Sequence, residues 1–584
     1  MQYFLIFLLL LACYFGEKGL KSKIFITNIF SILIIVWNVC NNYTNEGINE
    51  AVLFTLKSNT DGAPLSDFIP YFITYVSYLI LSLIPLVFRR NFISFNKKKY
   101  NIISLFILII SISIVSIKTN YIKDYIFLIN NLFSNYKSAT INKATFEKIK
   151  IDELNKINID KNLVIIIAES LERTHRDIDG INFLPQISNL SDQFDFSNIA
   201  QTKGSGWTIA GHVNVLCGLP LVGLSNDATA MSTFLPRATC IPEVLEKKGY
   251  HSIYVSGTNT QFSGTNNFLK THGVSEVYDI KQLEKEVNKQ NISKWGINDD
   301  KTLDISYKIF ENKSIQKENF NLIISTINTH TPNGLFLESC KHLDITKATE
   351  EIQKSILCSD YLISEFIKKI QQSPYYKDTT IVLVSDHLMM GQHTYLKEKN
   401  RTNTFSIFSH ELKNKTIDNI GSLIDVLPTT LSLITSHDLD FGMGVNLISE
   451  KNKINLILNK ETESESLNIA RELWAFPNIN EKMIFNGKSL IIGQQSIKLP
   501  FSAEIDDTGN IIYISNQGLI IKKHKNLLLE NDNINIIYAR KCDSFACLLI
   551  GNKKENNYFI IDDNKINKET LNKKEDINLF ITSK

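Results

Sequence analysis

Four apolar segments near the N-terminus constrain the fold of this chain most strongly. They cover residues 3–15, 24–39, 68–88 and 102–117, and no later segment resembles them. The third reaches the ~20 residues that cross a ~30 Å hydrocarbon core, while the others lie at or below the low end of that range. The sequence therefore predicts a region of four transmembrane helices over 1–120.

Basic residues alternate between the loops that join these segments. Three lysines lie between 18 and 23 and five basic residues between 89 and 99, whereas 41–67 holds one lysine against four acids. The positive-inside rule then places the N-terminus and everything after residue 120 outside the cytoplasm. A cleaved signal peptide is the alternative for the first segment, although it lacks a basic start and a small-x-small cleavage site. Buried core helices are the alternative for the others.

Cysteine usage fits an exported domain. Cys13 and Cys40 lie in or beside the predicted spans, where thiols act as small apolar residues. The other six are an even number, which permits three disulfides among 15 connectivities in an oxidising compartment. Six unrelated buried thiols are the alternative. If the six cysteines do form disulfides, their order along the chain favours pairs between neighbours, namely Cys217–Cys240, Cys340–Cys358 and Cys542–Cys547.

The sequence changes character after a polar, partly helical linker over 121–160. The run LVIIIA from Leu163 is wholly apolar, and Glu169 follows it directly. A buried parallel strand looks like this when functional groups lie at its carboxyl end. The pattern recurs over 321–330 and 379–387, with helical stretches such as 349–370 between. This alternation predicts an α/β domain over 161–450 with helices on both faces of its sheet.

Polar side chains follow these strands, where ligands of open α/β sheets gather. They are Glu169, His330, Asp386 and His387. Carboxylates and imidazoles hold divalent metals, and a metal suits an enzyme that breaks a phosphodiester. For any one of these residues a buried cap or salt bridge is the commoner interpretation, but three strand ends that meet favour a metal site.

The segment KGSGWTIAGHVNVLCGLPL over 203–221 adds a candidate nucleophile. Gly204 and Gly206 allow a tight turn, after which Thr208 begins an apolar, helical stretch. The N–H groups at a helix N-terminus suit an anionic phosphate, and metal coordination would lower the proton affinity of the hydroxyl. The alternative is that Thr208 is only an N-cap.

The chain after 451 predicts a small, mainly β domain to residue 584. Its short alternating segments are GKSLIIG, IKLPFSAEI, DTGNIIYIS, NQGLIIKK and YFIIDDN, and they carry no catalytic constellation. The whole chain has 62 Lys plus Arg against 60 Asp plus Glu, without the concentrated basic face that nucleic-acid binding needs.

These motifs together resemble the alkaline-phosphatase and sulfatase superfamily, and specifically the phosphoglycerol transferase I family of periplasmic glucan modification, a relative of lipoteichoic acid synthases. The resemblance extends from about 40 to 450. It rests on the order Glu169, GWTIAG, His330 and SDH, and on further family-like segments: GINEAVLFTL over 47–56, WGINDD over 295–300, NTHTPNG over 328–334, LCSD over 357–360, SDHL over 385–388 and FGMGVNL over 441–447.

The resemblance implies a mixed-sheet α/β sandwich and assigns the site. Glu169, Thr208, Asp386 and His387 match the metal ligands, with Thr208 also the nucleophile, and His330 matches a histidine that contacts the substrate phosphate. It further implies manganese or magnesium, a phosphatidylglycerol donor in the lipid bilayer, a periplasmic glucan acceptor and a multi-pass protein of a bacterial inner membrane with its catalytic domain in the periplasm.

The sequence differs at two motifs from two related families, the lipoteichoic acid synthases and the lipid A phosphoethanolamine transferases. Lipoteichoic acid synthases carry Trp and Arg where this chain has Ser263 and Thr265, and lipid A phosphoethanolamine transferases typically read SDHGE, with zinc, where this chain reads SDHLMM. Two alternative functions are a phosphoglycerol or phosphoethanolamine transferase that acts on another envelope glycan or lipid, and an inactive envelope sensor of the same fold. The sensor would be expected to lack a ligand or the nucleophile, and all are present.

Overall fold

The computed structural model describes most of the chain after residue 157 and parts of the region before it. The described residues are 7–9, 20–44, 47–52, 69–87, 102–103, 106–107, 121–133, 158–222, 231–391, 393–451, 453–474, 476–493, 495–506, 508–516, 518–530, 535–551, 556–562 and 565–571. They form two compact units. The first contains the described parts of 1–53, 63–134 and 390–393, and the second contains the rest.

The first unit contains three helices: α1 (Leu20–Thr44), α2 (Ile69–Val87) and α3 (Tyr121–Phe133). Among the described residues, only Lys21–Thr44 is long and apolar enough to cross a membrane, and the apolar part of α2 is shorter. The predicted four-helix region is therefore not confirmed, because most of the first and fourth predicted segments lies outside the described residues. Apolar side chains such as Phe25 are exposed on α1, which indicates a membrane anchor.

The helical part of the predicted linker packs within this unit. The Trp37 indole of α1 donates a 2.6 Å hydrogen bond to Asp124 of α3, and its ring lies 4.2 Å from that of Tyr121. Residues 134–157 of the predicted linker lie outside the described residues. Residues 121–133 thus belong to the N-terminal unit.

An eight-stranded sheet forms the centre of the second unit. Its order in space is β8-β2-β7-β6-β1-β5-β3-β4, and all strands run parallel except β7. The mixed α/β sheet is confirmed. The strands are β1 (Asn162–Ala168), β2 (Gln193–Phe196), β3 (His251–Ser256), β4 (Glu276–Tyr278), β5 (Phe320–Ser325), β6 (Thr379–Ser385), β7 (Phe405–Phe408) and β8 (Lys415–Ile417).

β1 carries apolar side chains on both of its faces, so both faces of the sheet are covered. Val164 and Ile166 lie in a core with residues of two long helices, while their neighbours Leu163 and Ile165 point the other way and are buried too. The helices of this unit are α4 (Pro185–Ser188), α5 (Thr208–Cys217), α6 (Ile241–Glu246), α7 (Thr265–Thr271), α8 (Ile280–Leu283), α9 (Asp299–Ile315), α10 (Glu351–Gln371), α11 (Val426–Thr435), α12 (Glu463–Glu472) and α13 (Gly518–Glu530).

The central strands place their carboxyl ends side by side. β1 pairs in parallel with β5 on one side and with β6 on the other, with Ile167 opposite both Ser325 and Val384. The residues that follow these three strands therefore reach the same edge of the sheet.

The C-terminal segment is mainly β and belongs to the second unit. One antiparallel sheet contains β9 (Met483–Phe485), β10 (Ser489–Ile492) and β11 (Gln495–Lys498); a second has the order β13-β12-β14-β15-β16-β17 and contains β12 (Phe501–Ile505), β13 (Ile511–Ser515), β14 (Ile536–Cys542), β15 (Phe545–Gly551), β16 (Asn556–Asp562) and β17 (Lys565–Leu571).

One predicted strand in this segment is wrong. NQGLIIKK lies largely in α13, because Ile521, His524 and Leu528 recur at helical spacing and all three are buried. His524 also bonds to Ser502 of β12 at 2.9 Å. Packing on the sheet therefore selects a helix where a short window suggested alternation.

Candidate active site

Three predicted ligands meet where β1 and β6 end. Glu169 follows β1 directly, and Asp386 and His387 follow β6. One ligand atom of each lies within 4.8 Å of the others, and all three side chains are buried. The pairing of two adjacent parallel strands brings these residues together.

Ser170 connects the two carboxylates. Its backbone N–H donates to Asp386 Oδ1 at 2.9 Å, and its hydroxyl donates to Glu169 Oε1 at 2.8 Å. Its φ of 53° lies in the left-handed region, which a residue other than glycine seldom adopts. On the backbone side, the amide of Glu169 donates to the Thr326 hydroxyl, and the Thr329 hydroxyl donates to the Glu169 carbonyl oxygen. Glu169 is thus fixed on both sides.

The His387 ring presents an acceptor nitrogen to these carboxylates. Its Nδ1–H donates to the Leu388 carbonyl oxygen at 2.8 Å, which leaves Nε2 with a lone pair. Nε2 lies 3.3 Å from Asp386 and 3.6 Å from Glu169 and, although buried, makes no hydrogen bond within the described part of the chain. Two carboxylates and an imidazole lone pair that face one another are stable only with a proton or a cation between them, and these ligand types fit a divalent metal.

The two carboxyl groups respond differently to their surroundings. Burial raises the pKa of Asp386 well above its ordinary value, and the charge of Glu169 adds to that effect. Burial also opposes ionisation of Glu169, but His387, His330 and the hydrogen bond from Ser170 hold its pKa below the ordinary value. The two buried carboxyl groups therefore oppose each other's ionisation unless a positive charge lies beside them.

Thr208 is the first residue of α5, and it borders this group. The N-cap position is occupied by Trp207, whose backbone is extended, so the Thr208 hydroxyl is not the helix cap. That hydroxyl donates to Glu169 Oε2 at 3.4 Å and is partly exposed. The free N–H groups of the first helical turn lie beside it. A phosphate bound here would meet a hydroxyl, a helix N-terminus and a metal-type ligand group together.

A close approach between backbones sets the distance from α5 to the group of Glu169, Asp386 and His387. A Cβ at Gly211 would come 2.2 Å from the Asp386 carbonyl oxygen, so only glycine allows the helix to lie this near. One turn further into the structure, His212 donates from Nδ1 to the Thr208 carbonyl oxygen at 2.7 Å and accepts from the Tyr254 hydroxyl at 3.2 Å. These contacts hold the first turn of α5 in place.

Replacement of Gly211 by alanine is expected to lower activity by about 10²-fold, because the added methyl group must push Thr208 away from Asp386 and small misplacements of reacting groups cost that much. Gly518→Ala is the matched control, since its Cβ would meet no atom within 4 Å. Steady-state rates and thermal unfolding of both variants would be measured. Activity of Gly211→Ala near that of the control would contradict this account of the helix position.

His330 lies further from its strand than the sequence predicted. β5 ends at Ser325, and His330 follows an irregular segment whose Thr329 contacts the Glu169 carbonyl. The His330 Nδ1–H donates to the Thr331 carbonyl oxygen at 2.8 Å, and its ring lies 3.8 Å from that of Trp295. His330 therefore adjoins the ligand group without being one of its closest members.

Sequence reasoning missed a buried ion pair behind the site. Arg401 donates to both carboxylate oxygens of Glu172, at 2.8–3.1 Å, and to the Met389 carbonyl oxygen at 2.6 Å. It joins the loop that follows Glu169 to the loop that follows His387. Their separation of 229 residues gives the sequence no local signal for the pair.

The structure joins six cysteines in the predicted pairs. Cα separations are 4.1 Å for Cys217–Cys240, 5.4 Å for Cys340–Cys358 and 5.8 Å for Cys542–Cys547. The first bond ties the end of α5 to the start of α6. Cys240, Glu243 and His272 also lie close enough together to hold a metal. The disulfide argues against a metal there, because a disulfide sulfur is not a thiolate ligand.

Replacement of both Cys217 and Cys240 by serine is expected to lower the free energy of unfolding by about 3 kcal/mol, given the sequence separation of 23 residues. The same change at Cys542 and Cys547, separated by 5 residues, should cost less. Denaturant unfolding of both double variants would be compared. A smaller loss from the first pair than from the second would contradict the loop-length argument.

Two regions of the chain match known protein families. The Sulfatase family profile matches residues 161–436, and a profile described as phosphoglycerol transferase I, N-terminal domain, matches residues 1–122. Phosphoglycerol transferase I from Xanthomonas euvesicatoria is 30% identical over 508 residues, which cover 84% of this chain and 71% of that protein. The chain belongs to the phosphoglycerol transferase I family.

The chain is also similar to a second curated relative and to a solved structure. The phosphoglycerol transferase I of Salmonella choleraesuis is 30% identical over 505 residues, covering 82% of this chain and 64% of that protein. The crystal structure of lipoteichoic acid synthase LtaP from Listeria monocytogenes is similar with a TM-score of 0.45 at 17% identity, over 56% of this chain and 95% of that one. As a phosphoglycerol transferase I family member with a sulfatase-type domain, the chain is a phosphotransferase enzyme.

Proposed function

We propose that this chain transfers sn-1-phosphoglycerol from phosphatidylglycerol to periplasmic, osmoregulated glucans and releases diacylglycerol. Family membership supports the transferred group. The observation that carries the mechanism is the Thr208 hydroxyl, which lies at a helix N-terminus and 3.4 Å from the buried carboxylate of Glu169.

Manganese or magnesium is the proposed metal. Glu169, Asp386, His387 and the Thr208 hydroxyl would hold it, since oxygen-rich ligand sets with one imidazole suit hard divalent ions. When bound, the metal lowers the proton affinity of a hydroxyl and offsets phosphate charge. Within the described residues Nε2 of His387 makes no hydrogen bond, which supports a bound cation at this position.

Transfer in two steps lets donor and acceptor use the same pocket in turn. In the first step, Thr208 Oγ1 forms a bond to the phosphorus of phosphatidylglycerol and its proton passes to Glu169 Oε2. The bond from phosphorus to the diacylglycerol oxygen breaks, and that oxygen takes a proton from water. In the second step, a glucosyl hydroxyl oxygen bonds to phosphorus and releases its proton to water. The bond from phosphorus to Thr208 Oγ1 breaks, and Oγ1 recovers the proton from Glu169. His330 contacts the phosphate in both steps.

The proposed setting is a bacterial inner membrane with four spans and the catalytic domain in the periplasm. The apolar helix Lys21–Thr44 and the alternation of basic loops along the N-terminal sequence support it. A membrane anchor would keep the enzyme beside its lipid donor.

The proposed function is tested with purified full-length protein in nanodiscs that contain phosphatidylglycerol. Mass spectrometry of added periplasmic glucan should show glucan that carries phosphoglycerol, with one diacylglycerol formed for each group transferred. Nanodiscs that contain only phosphatidylethanolamine are the matched control and should yield neither product. Diacylglycerol release without glucan modification, while another envelope acceptor is modified, would refute the proposed acceptor.

A further inference from the structure

His330 is carried by a segment that has little regular structure to hold it. β5 ends at Ser325, and the residues from Thr326 to Gly334 form neither helix nor strand. The hydrogen bond from His330 Nδ1 goes to the next residue, Thr331, so it fixes which nitrogen carries the proton but moves with the segment. The direction of the imidazole therefore depends on support from elsewhere in the domain.

The start of α9 holds the backbone of this segment. The two carboxylate oxygens of Asp299 accept separately from the backbone N–H groups of Ile327 and Asn328, each at 2.8 Å. In return, Asn328 Oδ1 accepts from the Asp299 N–H at 2.6 Å. Asp299 is buried. These reciprocal bonds join the WGINDD segment to the NTH segment just before His330.

Trp295 holds the His330 ring itself. The two rings lie 3.8 Å apart between centroids with an interplanar angle of 32°, which is a face contact. Trp295 lies in the two-residue turn of a small hairpin formed by Ile292–Ser293 and Gly296–Ile297. A large aromatic ring in such a turn is exposed unless it covers something, and here one side covers His330.

The hairpin is fixed to the core sheet by a close backbone contact. The Ile297 N–H donates to the Gly257 carbonyl oxygen at 3.0 Å, just beyond the end of β3. A Cβ at Gly296 would come 2.2 Å from the Gly257 oxygen, and a Cβ at Gly257 would come 2.2 Å from the Ile297 oxygen. Neither glycine tolerates a side chain, so the position of Trp295 is set by the sheet.

We propose that Trp295 and Asp299 are positioning residues for His330, with Asp299 fixing its backbone and Trp295 fixing its ring so that Nε2 points to the substrate phosphate. This inference rests on the proposed function only where it names the phosphate. The WGINDD segment, which takes no part in the proposed metal binding or nucleophilic attack, would then act by positioning His330. Because both residues act through His330, removing Trp295 should have no further effect once His330 is gone.

A double-mutant cycle tests this dependence. Release of diacylglycerol from phosphatidylglycerol by full-length protein in nanodiscs would be measured for wild type, Trp295→Ala, His330→Ala and the double variant. Trp295→Ala should lower kcat by about tenfold or more, since displacing a positioned group by 1 Å can cost 10²-fold. Trp295→Phe keeps an aromatic face and should stay within about threefold of wild type. The double variant should match His330→Ala. Additive losses would overturn the proposal and assign Trp295 a contact of its own with the substrate.

A second measurement does not depend on turnover. Diethyl pyrocarbonate modifies accessible imidazoles, and peptide mass spectrometry would follow His330, with the exposed His437 as internal reference. Trp295→Ala should raise the rate at His330 several-fold and leave His437 unchanged, whereas Trp295→Phe should raise neither. If wild type fails to release diacylglycerol, the proposed function fails, and this rate still decides the positioning role. An unchanged rate at His330 in Trp295→Ala would overturn it.

Discussion

Replacement of Thr208 by alanine is expected to lower phosphoglycerol transfer by about 10³-fold or more while the protein keeps its fold. The side chain is partly exposed at the start of α5, and the N-cap position belongs to Trp207, so its removal costs little stability. The lost hydroxyl is the only atom of this residue that can attack phosphorus, and removal of a nucleophile has effects of this size. Initial rates and thermal unfolding of the same preparation would be compared.

The control is Thr508→Ala, which removes an exposed threonine hydroxyl in the turn between β12 and β13, where it bonds to Asp506 of the same turn. Its activity should equal that of wild type. Thr208→Ser keeps a hydroxyl on a smaller side chain and should recover a large part of the lost rate. Near-normal transfer by Thr208→Ala would rule out the proposed nucleophile.

Removal of metal is expected to have an effect of similar size. A chelator should abolish transfer, and added manganese should restore it, because the carboxylates of Glu169 and Asp386 would repel a phosphate without a bound metal. Thermal unfolding should shift to lower temperature in the chelated protein, since a ligand that binds only the folded state stabilises it.

The Asp386→Asn variant should reproduce the chelated state. It removes the negative charge of one ligand and should lower metal content, measured by elemental analysis, together with activity by about 10²-fold or more. Asp304→Asn is the control, because Asp304 is exposed on α9 and forms only a 3.6 Å ion pair. Full activity of metal-free protein would refute the metal site.

The position of Glu169, Asp386 and His387 at strand ends could be predicted because their strands leave little choice of structure. LVIIIA and TIVLVS are apolar throughout, which suits a strand buried on both faces, and the polar residues after them must then lie at an edge. Neither sequence segment shows which strand lies next to which in the sheet. That Glu169 and Asp386 meet depends on the pairing of β1 with β6.

The residues that hold the site in place could not be predicted. Arg401 and Glu172 pair across 229 residues, and Trp295 meets His330 only because a hairpin lies against the end of β3. Such contacts come from tertiary packing, and each residue alone looks like an ordinary loop residue. Gly211 indicated a close contact only weakly, since a glycine inside a helix usually has a packing reason. The contacting group, the Asp386 carbonyl, could not be identified from the sequence.

The predicted strand over NQGLIIKK shows the limit of short patterns. Eight residues with alternating apolar character fit a strand, but the apolar residues that continue to Leu528 fit a helix that buries one face. The tertiary partner decided between them, because the second sheet leaves a surface on which His524 bonds to Ser502.

The covalent step on Thr208 is tested most directly by trapping it. Full-length protein with manganese and phosphatidylglycerol, but without acceptor, would be quenched and digested, and the peptide that spans Thr208 would be sequenced by mass spectrometry. This account predicts phosphoglycerol on Thr208, and its loss when glucan is added at the rate at which modified glucan forms. Modified glucan formed at the normal rate with no group on Thr208, or with the group on another residue, would contradict it.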